Sequence, residues 1–372
     1  MSRTIWILNH YAITPDMAGG TRHYDLGREL VKRGYEVTIF ASGFNHDTKR
    51  YIKLKPEETS RAEDYQGVRF IWLKTMPYSG NDWRRIGNML SYAVRAVKTA
   101  RGLEKPDVVI GSCVHPFAVM AGWWLARRFR AHFIFEVRDL WPQTAVDIGA
   151  LKPANLPARL LYALEKFMFQ KAEKIIILLP NAVEYVKGRG IDPQKIVWIP
   201  NGVDLERFDH PEPLDPSSET VAAFARHRER FKVVYAGAHG PANGLEVLVD
   251  AAAILAERCP DIHFFLVGDG PEKEKLRQKA RQQTLGNISF LEPVPKLQLP
   301  NILHEADLLL HCLKPLSVLR HGISPNKMYD YLASGKPIIM SAEAANDVVQ
   351  QAQAGLTVKP GDAEALAEGI IK

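Results

Sequence analysis

Three cysteines in 372 residues, Cys113, Cys259 and Cys312, are too few and too widely spaced for a disulfide framework or a metal-ligand set. They read as buried thiols of a reducing compartment. No run approaches the roughly 20 apolar residues that a membrane span needs, and the opening stretch MSRTIWILNH turns polar too soon for a signal peptide. A cytoplasmic protein is expected. No low-complexity tract or internal repeat interrupts the chain. The G-x-G-x-x-G fingerprint is missing, which argues against a nicotinamide oxidoreductase, and the lack of an RRM or KH signature argues against nucleic acid.

What is present is a globular composition, 46% hydrophobic and 24% charged, at a length that favours two domains. Charge is divided unevenly: residues 1–200 hold 30 Lys+Arg against 19 Asp+Glu, and residues 201–372 hold 18 against 23. A basic first half suits an anionic membrane surface or a phosphorylated acceptor.

Thr4 to Leu8 is a short β-branched apolar run. A loop containing Gly19-Gly20, a helical pattern with Leu26, Leu30 and Val31, and a second strand, Val37 to Ala41, follow. This is a βαβ unit that opens a parallel sheet. Paired glycines ahead of a helix let backbone N–H groups approach an anionic ligand, and a flexible turn is the alternative. Asn45 to Tyr65 is polar and reads as a mobile surface loop. Asp82 to Leu103 reads as a basic amphipathic helix, with Ile86, Met89, Leu90, Ala93, Val94 and Val97 on one face and Arg84, Arg85, Arg95, Lys98 and Arg101 around it. Two readings stay open: docked on the sheet with a solvated basic rim, or laid against a bilayer with Trp83 at its start. The strand Asp107 to Gly111 exits into a loop with His115, and His132 to Val137 exits towards Arg138 and Asp139. Ligands of open α/β sheets sit at that edge.

Beyond IPNGVD (Ile199 to Asp204) the tract Arg207 to Glu219 carries Pro211, Pro213 and Pro216 and reads as a linker. The expected division is therefore 1–205, a linker at 206–220, and 221–372. In the second half Phe231 to Ala236 leads into GAHGPANG, where Gly237, His239, Gly240 and Gly244 precede a helix, and Ile262 to Val267 leads into Gly268-Asp269-Gly270. Free amides in such turns suit phosphate oxygens. Strands at Asn287 to Leu291 and Asp307 to His311 lead to RHGISPNKMYDYLASGKPIIMS (Arg320 to Ser341), a turn, a short helix from Lys327 to Ala333 bearing Asp330, and a strand, Pro337 to Met340. Two parallel-sheet domains with glycine-rich exits would leave a cleft between their carboxyl edges.

Taken in order, the Gly19-Gly20 loop, DVVIGSCVHP around His115, IPNGVD, FLVGDGP (Phe265 to Pro271) and NKMYDYLASGKPII resemble the GT-B-fold retaining glycosyltransferases of family 4 along nearly the whole chain. FEVRDLWP (Phe135 to Pro142) and GISPNK (Gly322 to Lys327) are similar to the bacterial surface-polysaccharide N-acetyl-L-fucosaminyl transferase branch. The resemblance implies two Rossmann-like domains, an N-terminal acceptor domain and a C-terminal donor domain. It also implies transfer of a sugar from a UDP-sugar donor to a glycan or a lipid-diphosphate-linked acceptor at the inner membrane face. No D-x-D motif is present, and the family needs none; no catalytic metal and no cofactor are expected. Asp330 matches the family's second glutamate, which binds ribose hydroxyls, while the first falls at Gly322. The family's diphosphate-binding Arg and Lys fall at Ala238 and Asn243. Lys327, with Arg320 and the backbone around Ser324 to Asn326, is expected to take their place. By resemblance His115 contacts the transferred sugar, and Arg138 and Asp139 shape the N-domain side. A GT-B sugar-nucleotide epimerase and a non-catalytic partner subunit of a heteromeric transferase remain alternatives. GT-B chains continue through helices that cross back to the first domain, and AEALAEGIIK starts such a helix and ends, so a shortened chain is expected.

Overall fold

A computed structural model describes residues 3–46, 48–80, 82–113, 115–147, 149 and 151–372. The chain divides into two compact units: Met1–Thr14, Thr21–Pro200 and Arg320–Ile323 form the first, and Pro15–Gly20, Asn201–Leu319 and Ser324–Lys372 form the second.

The first unit is built on β1 (Thr4–Leu8), β2 (Glu36–Ser42), β3 (Ser60–Tyr65), β4 (Val68–Leu73), β5 (Val108–Cys113), β6 (His132–Val137), β7 (Lys174–Ile177) and β8 (Ile196–Trp198). They form one sheet in the order β3-β4-β2-β1-β5-β6-β7-β8. The runs of Val, Ile, Phe and Trp that make β1, β2 and β4 are buried on both faces, as a sheet covered by helices on both sides requires. Ser60–Tyr65 corrects the expectation of a loop through Tyr65. It pairs antiparallel with β4 at the sheet edge, where one solvated side tolerates its polar residues.

The second unit holds β9 (Phe231–Ala236), β10 (Ile262–Val267), β11 (Ile288–Leu291), β12 (Leu308–Cys312), β13 (Ile338–Ser341) and β14 (Gly355–Val358), ordered β11-β10-β9-β12-β13-β14 with every pair parallel. Strand order reverses between β9 and β12 here, and between β1 and β5 in the first unit. Parallel strands diverge into crossovers on opposite faces at such a point, which leaves a crevice at their carboxyl ends. The proline-rich tract is fastened to the second unit: the Glu212 amide donates to the Leu297 carbonyl at 3.1 Å, and Gln298 Nε2 donates to the Pro213 carbonyl, also at 3.1 Å.

The basic helix Trp83–Ala100 is docked in a different phase from the one its apolar residues suggest. Its buried line is Asn88, Tyr92, Ala96 and Ala100, while Ile86, Leu90 and Val94 point outward at 57, 50 and 45% exposure. Burial of the polar members is offset by specific bonds: Tyr92 Oη donates to the Phe40 carbonyl at 2.8 Å and Asn88 Nδ2 to Thr75 Oγ1 at 2.8 Å. The two alanines let the helix approach closely. Among the described residues no helix is long and apolar enough to cross a membrane. Cys113 and Cys312 are buried free thiols, whereas Cys259 is only half-buried.

Candidate functional site

In the second unit the residues around the β9/β12 reversal converge. The loops after β9 and β10 are knitted together, with the Gly237 amide donating to the Val267 carbonyl at 2.9 Å and the His239 amide to the Asp269 carbonyl at 2.8 Å. Gly237, Gly240 and Gly268 therefore lie in one cluster. A Cβ on Gly237 would stand 2.8 Å from the Nζ of Lys327, so only glycine lets that side chain lie across the loop.

Lys327 sits in the first turn of the helix Asn326–Ala333. Its ammonium donates to Tyr235 Oη at 2.5 Å and to Asn243 Oδ1 at 3.3 Å, and lies 4.3 Å from the centre of the Tyr235 ring. No carboxylate pairs with it among the described residues. Burial brings its pKa down to about 7. Asn243 in turn donates to the Ala238 carbonyl at 2.9 Å, so Lys327 carries its charge to the two loop positions, Ala238 and Asn243, that hold none of their own. His239 and His311 are fully buried with both ring nitrogens unpartnered. Burial and the neighbouring Lys273 charge pull His239 down to about 4, and burial holds His311 well below the usual imidazole range. Both imidazoles are neutral, which leaves Lys327 as the charge they flank.

Asp330, 2% exposed, lies one turn beyond Asn326 and pairs with Lys296. Ser324 is held from two sides: its Oγ accepts from the Asn201 amide at 2.8 Å and lies 3.2 Å from Tyr329 Oη. Gly20 packs on the Asn326 side chain, so the Gly19-Gly20 loop, which the sequence places in the first βαβ unit, groups instead with the second unit. Arg320 groups with the first unit, half-exposed, 3.9 Å from Asp147.

The first unit gathers polar side chains at its own reversal. His115 caps the helix Pro116–Phe129, its Nδ1 accepting from the Ala118 amide at 3.4 Å, which leaves Nε2–H to donate to His10 Nδ1 at 2.8 Å. His10 is stacked between Tyr11 and Tyr92, with ring centres 4.5 Å away on each side. Burial lowers both imidazoles, His115 to about 3, so they are neutral at physiological pH. Neighbouring β6 carries Glu136, whose oxygens accept from Arg22 Nε at 2.9 Å, His23 Nε2 at 2.5 Å and Ser112 Oγ at 2.6 Å. Burial alone would raise this carboxyl, but His23, Arg22 and Arg138 outweigh it and hold Glu136 well below the usual carboxylate range. Arg138 and Asp139 follow at the strand exit, and the register Cys113↔Val137 brings them to the same edge as His115. Desolvation raises the Asp139 carboxyl and Arg138 opposes it.

His10, Arg22, His23 and Lys296 are the members that sequence reading passes over. Their partners lie up to 114 positions away, and the exit of β1 into Asn9-His10-Tyr11 is the one local signal that would have marked His10.

A glycosyl transferase 4-like domain matches residues 18–202, and glycosyl transferases group 1 match residues 230–372. The putative colanic acid biosynthesis glycosyl transferase WcaI of Escherichia coli is 22% identical over 96% of this chain and 89% of its own length. In fold, sucrose-phosphate synthase from Thermosynechococcus elongatus superposes with a TM-score of 0.71 at 19% identity, covering 99% of this chain and 89% of that one. Anabaena HepE in complex with UDP and glucose superposes at 0.63 and 17%, covering 98% and 88%. The two parallel-sheet units thus have the GT-B architecture, and with the two matches spanning most of its length the chain belongs to the glycosyltransferases, a 4-like domain followed by one of group 1.

Proposed function

We propose that the protein is a retaining transferase that moves a sugar, an N-acetylated amino sugar, from a UDP-linked donor to a glycan or lipid-diphosphate-linked acceptor in bacterial surface-polysaccharide synthesis. The observation that carries this reading is Lys327: a half-buried lysine with no carboxylate partner among the described residues, laid across glycine loops at a strand-order reversal, one turn from a buried carboxylate. A cation of that kind lacks a counter-ion among those residues, and a diphosphate supplies one. Asp330 holds the ribose, the loops bearing Gly237, His239, Gly240 and Gly268 lie under the phosphates with Ser324 and Asn326 beside them, and the Gly19-Gly20 loop covers the helix start. The Gly237, His239 and Gly268 amides are spent on the Val267, Asp269 and Leu291 carbonyls. As the glycosidic bond to the donor breaks, charge accumulates on the leaving phosphate, where Lys327 stabilises it. That phosphate takes the acceptor proton while the acceptor oxygen bonds to the same face of the sugar. His115, Arg138 and Asp139 position the sugar and acceptor. The UDP and glucose of HepE and the colanic acid role named for WcaI support the donor and the pathway class.

A thermal-shift panel of nucleoside diphosphates and UDP-sugars tests the donor. UDP at 100 times its Kd should stabilise the protein by about 2.7 kcal/mol. An unchanged melting temperature with every uridine nucleotide at millimolar concentration would sink the reading. Conversion of a UDP-sugar to a new sugar nucleotide at catalytic rates without acceptor would replace it by an epimerase.

Peripheral contact with an anionic inner membrane belongs to the same proposal. The helices Trp83–Ala100, Pro116–Phe129 and Leu156–Lys171 pack in succession. Their one acidic residue, Glu165, is buried, and burial raises its carboxyl to about 7. Outward they show Trp83, Ile86, Leu90, Trp124, Leu156 and Leu160, ringed by arginines and lysines. An apolar patch ringed by cations, with the exposed Asp82 only at the N-cap of the first of these helices, suits an anionic bilayer. Sedimentation with phosphatidylglycerol-containing vesicles at low salt should exceed that with phosphatidylcholine. Arg84→Ala with Lys98→Ala should weaken it by roughly 30-fold, at about 1 kcal/mol per charge. Equal binding to both vesicle types would refute the electrostatic part.

A further inference from the structure

Between β11 and the helix Leu299–Glu305 the chain buries a lysine. Lys296 is 6% exposed and its ammonium meets the Asp330 carboxylate, itself 2% exposed. The backbone at the same place has a second attachment. The Lys296 amide donates to the Met17 carbonyl at 3.0 Å, and the Leu297 amide donates to the Pro15 carbonyl at 3.2 Å. These two bonds fasten the Pro15–Gly20 strap, whose far end meets the helix Asn326–Ala333: a Cβ on Gly20 would stand 2.2 Å from Asn326 Nδ2. Asn326 and Asp330 are four residues apart in that helix and so share a face. One residue therefore ties down both the strap and the carboxylate.

A buried lysine–carboxylate pair is a poor device for stability, because desolvating two charges costs about as much as their attraction returns. Its effect on the carboxylate is another matter. Without a counter-charge a buried Asp takes up a proton, and the neutral acid is a much weaker acceptor than the anion. With Lys296 in place the Asp330 carboxylate faces a fixed counter-charge.

The geometry points to Lys296 as a positioning residue of the nucleoside half of the donor site, holding the Asp330 carboxylate against the ribose hydroxyls and clamping the Pro15–Gly20 strap beside it, so that the protein selects ribonucleoside over deoxyribonucleoside diphosphates. The inference rests on the assignment of Asp330 to the ribose made above. It assigns the selectivity to a residue outside the recognition helix.

Calorimetric titration of UDP and 2′-deoxy-UDP into the wild type, Lys296→Met, Lys296→Arg and Asp330→Asn tests it. The wild type should prefer UDP by roughly 10-fold or more, the worth of a hydrogen bond to a charged group. Lys296→Met should bring the ratio close to one. Lys296→Arg, which keeps the charge, should retain the preference, and it serves as the folded control if Lys296→Met is unstable. A loss of thermal stability in Lys296→Met with the wild-type ratio intact would overturn the inference and leave Asp330 in place. An unchanged ratio in Asp330→Asn would remove the ribose assignment and this inference with it. Failure of the wild type to bind UDP at all would strike the donor reading itself.

Discussion

Lys327→Met is expected to lower kcat/KM for sugar transfer by roughly 10²- to 10³-fold, the cost of removing one preorganised group from developing negative charge. The same change should stabilise the empty protein. The Lys327 ammonium sits against a phenol oxygen, an amide oxygen and a ring face, with no carboxylate partner among the described residues, and burial lowers its pKa to about 7. Between that value and the ordinary 10.5 the unfolded chain holds the proton more tightly than the fold does. Stability attributable to this residue therefore rises with pH across that window, and below about pH 7 the full penalty of burying a charge is present. Methionine removes the penalty, so the gain in melting temperature should be larger at pH 6 than at pH 9. Donor binding runs the other way. A diphosphate favours the charged lysine, so above pH 7 the ligand must bring a proton with it, and affinity should fall by up to 10-fold per pH unit. Calorimetry in two buffers of different ionisation enthalpy reads that uptake directly. Wild-type kcat/KM in Lys327→Met, or UDP affinity independent of pH between 7 and 9, would remove Lys327 from the diphosphate.

The parts of this arrangement that the sequence announces are those written in local pattern. Apolar β-branched runs mark β1, β5, β9 and β10, the last two running directly into glycine, and the short spacing of Lys327 and Asp330 puts both on one helix next to a glycine turn. β3 and β14 are invisible by that criterion. Ser60–Tyr65 is polar and Gly355–Val358 is four residues long, and each is a strand because a neighbour offers it a ladder at a sheet edge. The helix Trp83–Ala100 shows a further failure of pattern. Hydrophobic periodicity selects Ile86, Met89, Leu90, Ala93, Val94 and Val97 as one face, of which Ala93 and Val97 pack on the core while Ile86, Leu90 and Val94 are exposed. Packing centres instead on the line whose members are small or can bond to backbone. The site divides in the same way. His115 is legible as a loop histidine at a strand exit, but its partner His10 lies 105 residues earlier and is joined to it only by the β1/β5 pairing. Lys296 carries no motif at all and gains meaning only from where Asp330 falls.

Glu136→Ala should be the most destabilising single change in the first unit. The carboxylate accepts from the Arg22 guanidinium, the His23 ring and the Ser112 hydroxyl, and so joins the start of the helix Arg22–Lys32 to β5 and β6. Arg22 also donates to the carbonyls of Ile199 and Pro200, which extends the tie to the chain beyond β8. His23 completes the pattern as a neutral ring, its Nδ1 accepting from Asn9 Nδ2 at 2.7 Å while Nε2–H donates to Glu136. Alanine takes the Glu136 carboxylate away from the Arg22 guanidinium, which is only 5% exposed. Breaking one side of a buried pair costs about 3–5 kcal/mol, a large share of the roughly 5–15 kcal/mol that holds a domain together. At about 2–4 °C per kcal/mol for a domain of this size, the melting temperature should drop by roughly 6–20 °C. Both acid titrations act in the same direction. Glu136, held well below 4.5, contributes stability that is present above that value and lost as pH falls through its folded pKa. His23, lowered from 6.5 by burial, gives a fold that gains stability as pH rises to 6.5. The wild type should therefore lose stability steadily below pH 6.5, and Glu136→Ala should flatten the acid limb. The cycle with Arg22→Met separates pair from packing: removing both charges should cost less than removing Glu136 alone, because no orphaned ion remains. Additive losses in the double variant would show that the two side chains act as independent packing elements, and the tie through Glu136 would not be the one that holds the first unit.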